Sequence, residues 1–215
     1  MSTLKRALAA VATVALTGSL TVAAATPAAA VWYEDGVFAL RYTDELWQVD
    51  IATDSAYPLT YTDWEALGFP APKPARTDYV KYPWSPTVYA VTIFGDEREE
   101  WHWESITYEQ WARAGFPAPR NAGWIEGSYY YQWATSDELF VVAPDETIHK
   151  LTFAEWAASG FEQPERYENE GFINFPLEPR HILYSSNLDA RSIDYLTYSE
   201  WEAFGFPTPR LATDW

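Results

Sequence analysis

Leu59-Thr-Tyr-Thr-Asp-Trp-Glu-Ala-Leu-Gly-Phe-Pro70 decides the fold, because it returns at Ile106–Pro117, Leu151–Gln163 and Leu196–Pro207. Each copy reads as a helix of about two turns with both ends encoded. Thr60, Thr107, Thr152 and Thr197 stand at N-cap. Three residues on, Asp63, Gln110, Glu155 and Glu200 can reach back to the cap amide, which makes a capping box with Asp63 as its short-armed variant. Gly68, Gly115, Gly160 and Gly205 fall at C′, where a left-handed conformation is needed, and Phe69, Phe116, Phe161 and Phe206 follow at C″. In that frame Trp64, Trp111, Trp156 and Trp201 occupy both N4 and C3. Each is expected to meet the preceding Leu or Ile as a staple and the following Phe across the C-terminal turn, as a buried local core.

The four tryptophans are 47, 45 and 45 residues apart, a period that marks a repeat architecture. The repeats run over residues 31–75, 76–122, 123–166 and 167–212, with a short tail at 213–215. Three short strands are expected before each helix. In the third repeat they are Ser128–Trp133, Glu138–Val142 and Thr147–Leu151, rich in β-branched and aromatic residues and separated by turn residues. Phe-Pro-x-Pro, or Phe161-Glu-Gln-Pro164, then stops each helix in an extended segment. The fold class is therefore mainly β with short helices: four tandem repeats of three antiparallel strands plus a two-turn helix. Such a unit cannot bury its apolar face alone and needs neighbours. A propeller-like ring is favoured, because closure removes exposed edges; an open curved array is the alternative.

Residues 1–30 contain Lys5 and Arg6, an Ala/Val/Leu-rich run and Ala28-Ala29-Ala30, the pattern of a secretory signal. The apolar run is broken by Thr13, Thr17, Gly18 and Ser19, so no lasting membrane insertion is expected once the signal is removed, and residues 31–215 form one secreted repeat domain. Removing residues 1–30 takes two of the 14 bases and none of the 31 acids, which moves the formal charge from −17 to −19. Nucleic acid is a poor partner for that surface. With no cysteine there is no disulfide framework, and stability must come from packing.

Trp84-Ser-Pro-Thr-Val-Tyr-Ala-Val91, followed by Ile106–Arg120, resembles the aromatic repeats of uncharacterised proteins exported by high-GC Gram-positive bacteria, some of them attached to cell-wall enzymes. The resemblance covers nearly all of residues 31–215 and implies a surface or cell-wall setting. In period and in its Gly-Phe-Pro-x-Pro punctuation the chain is also similar to hemopexin-type propellers, although the disulfide that ties their first and last blades has no counterpart here.

Chemistry is sparse. His102, His149 and His181 lie at three different phases of the repeat, so their spacing requests no metal site. Asp63, Glu155 and Glu200 are explained by capping, and Asp96–Glu100 reads as a solvated hairpin loop without calcium-loop spacing. There is no nucleophile elbow and no phosphate-cradling glycine loop, so no catalytic residue, metal or cofactor is assigned. Aromatics give the better lead. Trp84 sits in a Pro-flanked turn where a ring would be exposed, and Tyr129, Tyr130 and Tyr131 put phenols on both faces of a strand. These four are the candidate ligand-binding residues. The expected function is a secreted, non-catalytic binding or surface module for a cell-wall glycan or another extracellular ligand, with a secreted or surface protein as the other candidate partner; the alternatives are a protein-binding or inhibitory module using the acidic repeat surface and a carboxylate-dependent hydrolase.

Overall fold

In the computed structural model, residues 34–95 and 100–212 are described. The expected leader, the tail and most of the acidic loop at 96–99 lie outside them. The first repeat contains β1 (Gly36–Ala39), β2 (Leu46–Asp50), β3 (Ser55–Leu59), α1 (Tyr61–Ala66) and β4 (Lys73–Pro74). The second contains β5 (Thr77–Lys81), β6 (Val88–Ile93), β7 (Trp101–Ile106), α2 (Tyr108–Arg113) and β8 (Arg120–Asn121). The third contains β9 (Tyr129–Trp133), β10 (Leu139–Val142), β11 (Ile148–Lys150), α3 (Phe153–Ala158) and β12 (Glu165–Tyr167). The fourth contains β13 (Gly171–Asn174), β14 (Ile182–Asn187), β15 (Ser192–Leu196), α4 (Tyr198–Ala203) and β16 (Arg210–Leu211).

The chain is mainly β and repeats one arrangement four times. Each repeat forms its own sheet, in the order β3-β2-β1-β4 and its counterparts. The three expected strands are antiparallel, and the sequence reading placed them within a residue or two. The fourth strand was not expected. It is the extended Pro-rich segment after the helix, which returns to lie parallel to the first strand of the same repeat: Phe38 opposite Lys73, Val80 opposite Arg120, Tyr131 opposite Glu165 and Ile173 opposite Arg210. A proline is tolerated there because the strand is an edge. These pairings align the repeats, making Phe38, Val80, Tyr131 and Ile173 equivalent.

The core lies between repeats. Leu40, Tyr42 and Val49 of the first pack with Tyr79, Ala90 and Phe94 of the second. Val80, Tyr82, Tyr89 and Val91 of the second pack with Ile125 and Ala143 of the third. Tyr131, Trp133 and Phe140 of the third pack with Phe172 of the fourth, and Trp201 and Phe204 of α4 lean on that cluster. Each cluster thus joins two successive units, as the inability of one unit to cover itself requires. The sheets remain separate and do not close, an arrangement compatible with the open array; the ring that was favoured finds no support in these contacts.

Polar ties follow the same seams. Arg113 of the second repeat pairs with Asp44 of the first at 2.7 Å. Asp145 of the third accepts from Thr87 of the second at 2.6 Å, and Glu138 of the third accepts from Thr208 of the fourth. Burial raises the Asp145 and Glu138 carboxyls, but the hydrogen bonds from these threonines, joined at Glu138 by Lys150, outweigh it and hold both below the ordinary carboxylate range.

Candidate functional site

The helix ends behave as the sequence dictates. Each threonine accepts from the amide three residues on, and the side chain there accepts from the threonine amide, at 3.2 Å for Asp63 but 2.7–2.8 Å for Gln110, Glu155 and Glu200. At the other end the Phe amide donates to the Trp carbonyl at 3.0–3.2 Å, and the Gly amide donates to the carbonyl three residues back at 2.8–3.1 Å, a Schellman motif in all four copies. Left-handed backbone extends one residue beyond the glycines. Phe69, Phe116, Phe161 and Phe206 all have φ between 54° and 61°, a conformation that costs a non-glycine residue roughly 1–2 kcal/mol. That turn brings each Phe ring edge-on to its Trp, with centroids 4.9–5.1 Å apart. The indole N–H then donates to the carbonyl of Pro70, Pro117, Glu162 or Pro207 at 2.8–2.9 Å, clasping the turn.

The clasp is not a buried core. None of the four helices contains a buried residue, the tryptophans are half-buried, and Phe69, Phe116 and Phe161 are exposed. Beside each clasp stands a third ring that the sequence reading passed over, the residue right after the capping threonine. Tyr61, Tyr108, Phe153 and Tyr198 are 67–73% exposed, yet each lies 6.2–6.4 Å from its Trp and 5.5–6.0 Å from its Phe. The signal was present as an aromatic in the same slot of every copy. The result is a triad of rings on a pinned turn, built four times, with the Tyr or Phe after the threonine exposed in every copy and the Phe of the turn exposed in the first three. In the second repeat Tyr108 and Trp111 also line a groove of about 430 Å³ with Val88, Ile106 and Pro119. Carboxylates flank the platforms: Asp63 and Glu65, Glu109, Glu155, and Glu200 and Glu202, with Arg113 the one base among the helix residues.

The four candidate ligand residues fare differently. Trp84 is half-buried, stacked on Tyr82 at 4.5 Å and on His149 at 4.4 Å, with planes within 13°. By register its counterpart in the first repeat is Tyr42, also aromatic and fully buried. Trp84 thus lies in the seam between the second and third repeats rather than standing free. Tyr130 and Tyr131 are buried, and burial pushes both phenols well above their usual range. Of the three tyrosines Tyr129 alone is exposed, its hydroxyl 3.3 Å from that of Tyr167. Trp84 shares a small cavity with Leu151, Glu155 and Ala158 of the third helix motif, whereas no described contact joins Tyr129 to the platforms.

One concavity departs from the repeat pattern. The β6–β7 hairpin is paired over six positions, more than any of its counterparts, and its reach carries Phe94 and His102 onto Trp47 of the first repeat at 4.8 Å and 4.6 Å. Between the two repeats lies a cleft of about 490 Å³, lined by Trp47, Phe94 and Trp101 with Asp50, Asp54 and Glu100. The three histidines have separate partners: His102 with Glu104, His149 with Glu155 and His181 with Glu178. Among the described residues no group of three potential metal ligands converges.

Comparison with known proteins finds no matching family model, no matching curated relative and no matching solved structure.

Proposed function

We propose that the chain is an exported, non-catalytic binding module that holds an extracellular glycan on its aromatic platforms. The observation that carries this reading is the exposed ring after the capping threonine on all four helices, joined on the first three by an exposed Phe. A capped two-turn helix needs no aromatic after its threonine, and contiguous exposed apolar rings work against solubility unless something covers them. A pyranose ring presents an apolar C–H face that an aromatic ring can cover, while its hydroxyls remain in water or meet the flanking carboxylates. Four copies of one platform suit a polymer with a repeating unit, since linked weak contacts multiply in avidity. Export rests on the signal pattern of residues 1–30.

The test replaces Tyr61, Tyr108, Phe153 and Tyr198 together by Ser. The variant is expected to keep its circular dichroism and thermal midpoint, because these rings are mostly exposed, while depletion by insoluble polysaccharides or purified peptidoglycan falls at least tenfold. Unchanged depletion, or none by the parent protein, overturns the reading. Retention that survives the substitutions but vanishes with salt would point to a basic protein held by the acidic surface instead.

A further inference from the structure

The second platform differs from the other three in charge. At the capping box the first, third and fourth repeats carry an acid, Asp63, Glu155 or Glu200, and the threonine hydroxyl donates to it at 2.6–2.8 Å. The second repeat carries Gln110, whose Oε1 accepts from the Thr107 amide at 2.8 Å and whose Nε2 donates to Glu104 at 3.2 Å. The Thr107 oxygen accepts from the Gln110 amide, but among the described residues nothing takes its hydroxyl proton. The capping carboxylate is thus missing beside Tyr108 and Trp111, and a hydroxyl donor is left for another acceptor.

A cation stands across the groove from that hydroxyl. Val80 is opposite Tyr89, so the next step of the register places Lys81 beside Val88, and Val88 is opposite Ile106. Lys81 and Thr107 therefore flank an apolar floor about 10 Å across, two strand spacings. In the other repeats the Lys81 position holds Ala39, Gln132 or Asn174. Among the described residues the Lys81 ammonium has one polar partner, the Ser85 carbonyl at 3.4 Å. The neutral Gln132 makes the same tie in the third repeat, to the Ser136 carbonyl at 3.2 Å, so the tie does not require the charge. Two of the three ammonium donors remain for a ligand. No Asp or Glu lines this groove of about 430 Å³, in a chain with 31 acids to 14 bases. Asp145 reaches Thr87 at its edge, but its carboxylate is engaged by the Thr87 and Ser85 hydroxyls and the Thr147 amide. Glu109 of α2 is not among the lining residues. An apolar floor, two aromatic rings and a cation without a counter-carboxylate fit a sugar ring that carries negative charge.

We propose that the groove of the second repeat binds a uronic acid unit of a glycan, with the pyranose over Val88, Ile106 and the rings of Tyr108 and Trp111 and the carboxylate on the Lys81 ammonium. The proposal rests on the reading of the helix rings as glycan platforms. It gives one of the four a preference that the others lack, because at those a capping carboxylate repels the same group.

The experiment titrates the full chain with a galacturonic acid tetramer at about pH 7, where its carboxylates are ionised, and follows tryptophan fluorescence and calorimetric heat. Parallel arms use the methyl ester of the same tetramer and tetraglutamate. The acid is expected to bind about fivefold more tightly than the ester, the upper range for one partly exposed ion pair, and tetraglutamate to give no saturable signal. Lys81→Gln is expected to bring the acid down to the affinity of the ester and leave the ester unchanged. Its thermal midpoint is expected to hold, because Gln132 makes the same loop tie in the third repeat. Tyr108→Ser is expected to weaken both tetramers together. No binding of either tetramer, equal affinity for acid and ester, a preference that survives Lys81→Gln, or equal binding of tetraglutamate would each overturn the assignment. The two proposals fail separately: depletion by insoluble polysaccharide without any preference for the acid refutes the groove and leaves the platforms standing.

Discussion

Glu138 of the third repeat accepts two hydrogen bonds from Thr208 of the fourth, one from its amide at 2.7 Å and one from its hydroxyl at 2.6 Å. The same carboxylate pairs with Lys150 at 3.1 Å, and Lys150 also donates to the Phe206 carbonyl at 3.1 Å. One acid thus fastens the turn after α4 to the neighbouring sheet. Replacing Glu138 by Gln removes the charge that strengthens three hydrogen bonds at once. The expected loss is about 1–2 kcal/mol, read as a lower denaturant midpoint, and Thr208→Ala in the same background is expected to add little further loss because the two share one contact.

Acid should loosen the seams. Glu138, Asp145 and Glu155 are each raised by burial, but hydrogen bonds from threonines outweigh that and hold them below the ordinary value. A carboxyl depressed in the folded state contributes stability above its unfolded value, and the contribution is lost as pH falls through the folded value. Stability is therefore expected to be flat from pH 7 down to about 4.5, the ordinary glutamate value, and to fall below it. Urea midpoints measured across that range check the sign. A midpoint that rises on acidification would contradict it.

The four left-handed glycines are not equivalent. A methyl group on Gly68, Gly115 or Gly160 meets nothing within 4 Å, whereas on Gly205 it would lie 2.9 Å from Ile148 and 3.5 Å from Phe140. Gly68→Ala is expected to cost about 1 kcal/mol, the left-handed penalty alone. Gly205→Ala adds a steric clash with Ile148 of the third repeat and is expected to cost about twice as much. Thermal melts of the two variants give the comparison.

Trp111→Ala removes the Phe116 contact and the hydrogen bond to Pro117 together. For a half-buried indole the expected cost is about 2 kcal/mol, below the roughly 3–5 kcal/mol of a fully buried one. Hydrogen exchange should speed at the amides of Gly115 and Phe116, which close the C-terminal turn, while the amides of β6 keep their protection.

What the sequence disclosed was whatever a contiguous stretch dictates. Thr60, Asp63, Gly68 and Phe69 lie within ten residues, and their geometry follows from local hydrogen bonding, so caps and turn were legible in all four copies. The depth of Trp64 was misjudged for the complementary reason. Staple and turn contacts say that rings touch each other, not that anything lies over them. The kinship of Trp84 with Tyr42 was not legible, because the alignment of those positions is set by the parallel pairing of Val80 with Arg120 and of Phe38 with Lys73, a relation between segments that linear comparison does not contain. The cleft at Trp47 was hidden for the same cause, since it depends on how far one hairpin reaches across its neighbour.

The parallel fourth strand carries one more consequence. Among the described strand pairings, the longest separation is the 40 residues between Val80 and Arg120, and each sheet draws all its strands from its own repeat. A chain threaded outward from its N-terminus can therefore finish one sheet before the first strand of the next has emerged. In the first repeat the fourth strand ends at Pro74, and two residues separate it from Thr77, where β5 begins. The topology therefore permits vectorial assembly, in which each completed unit can serve as the template for the next and no strand has to wait for a partner still to be delivered.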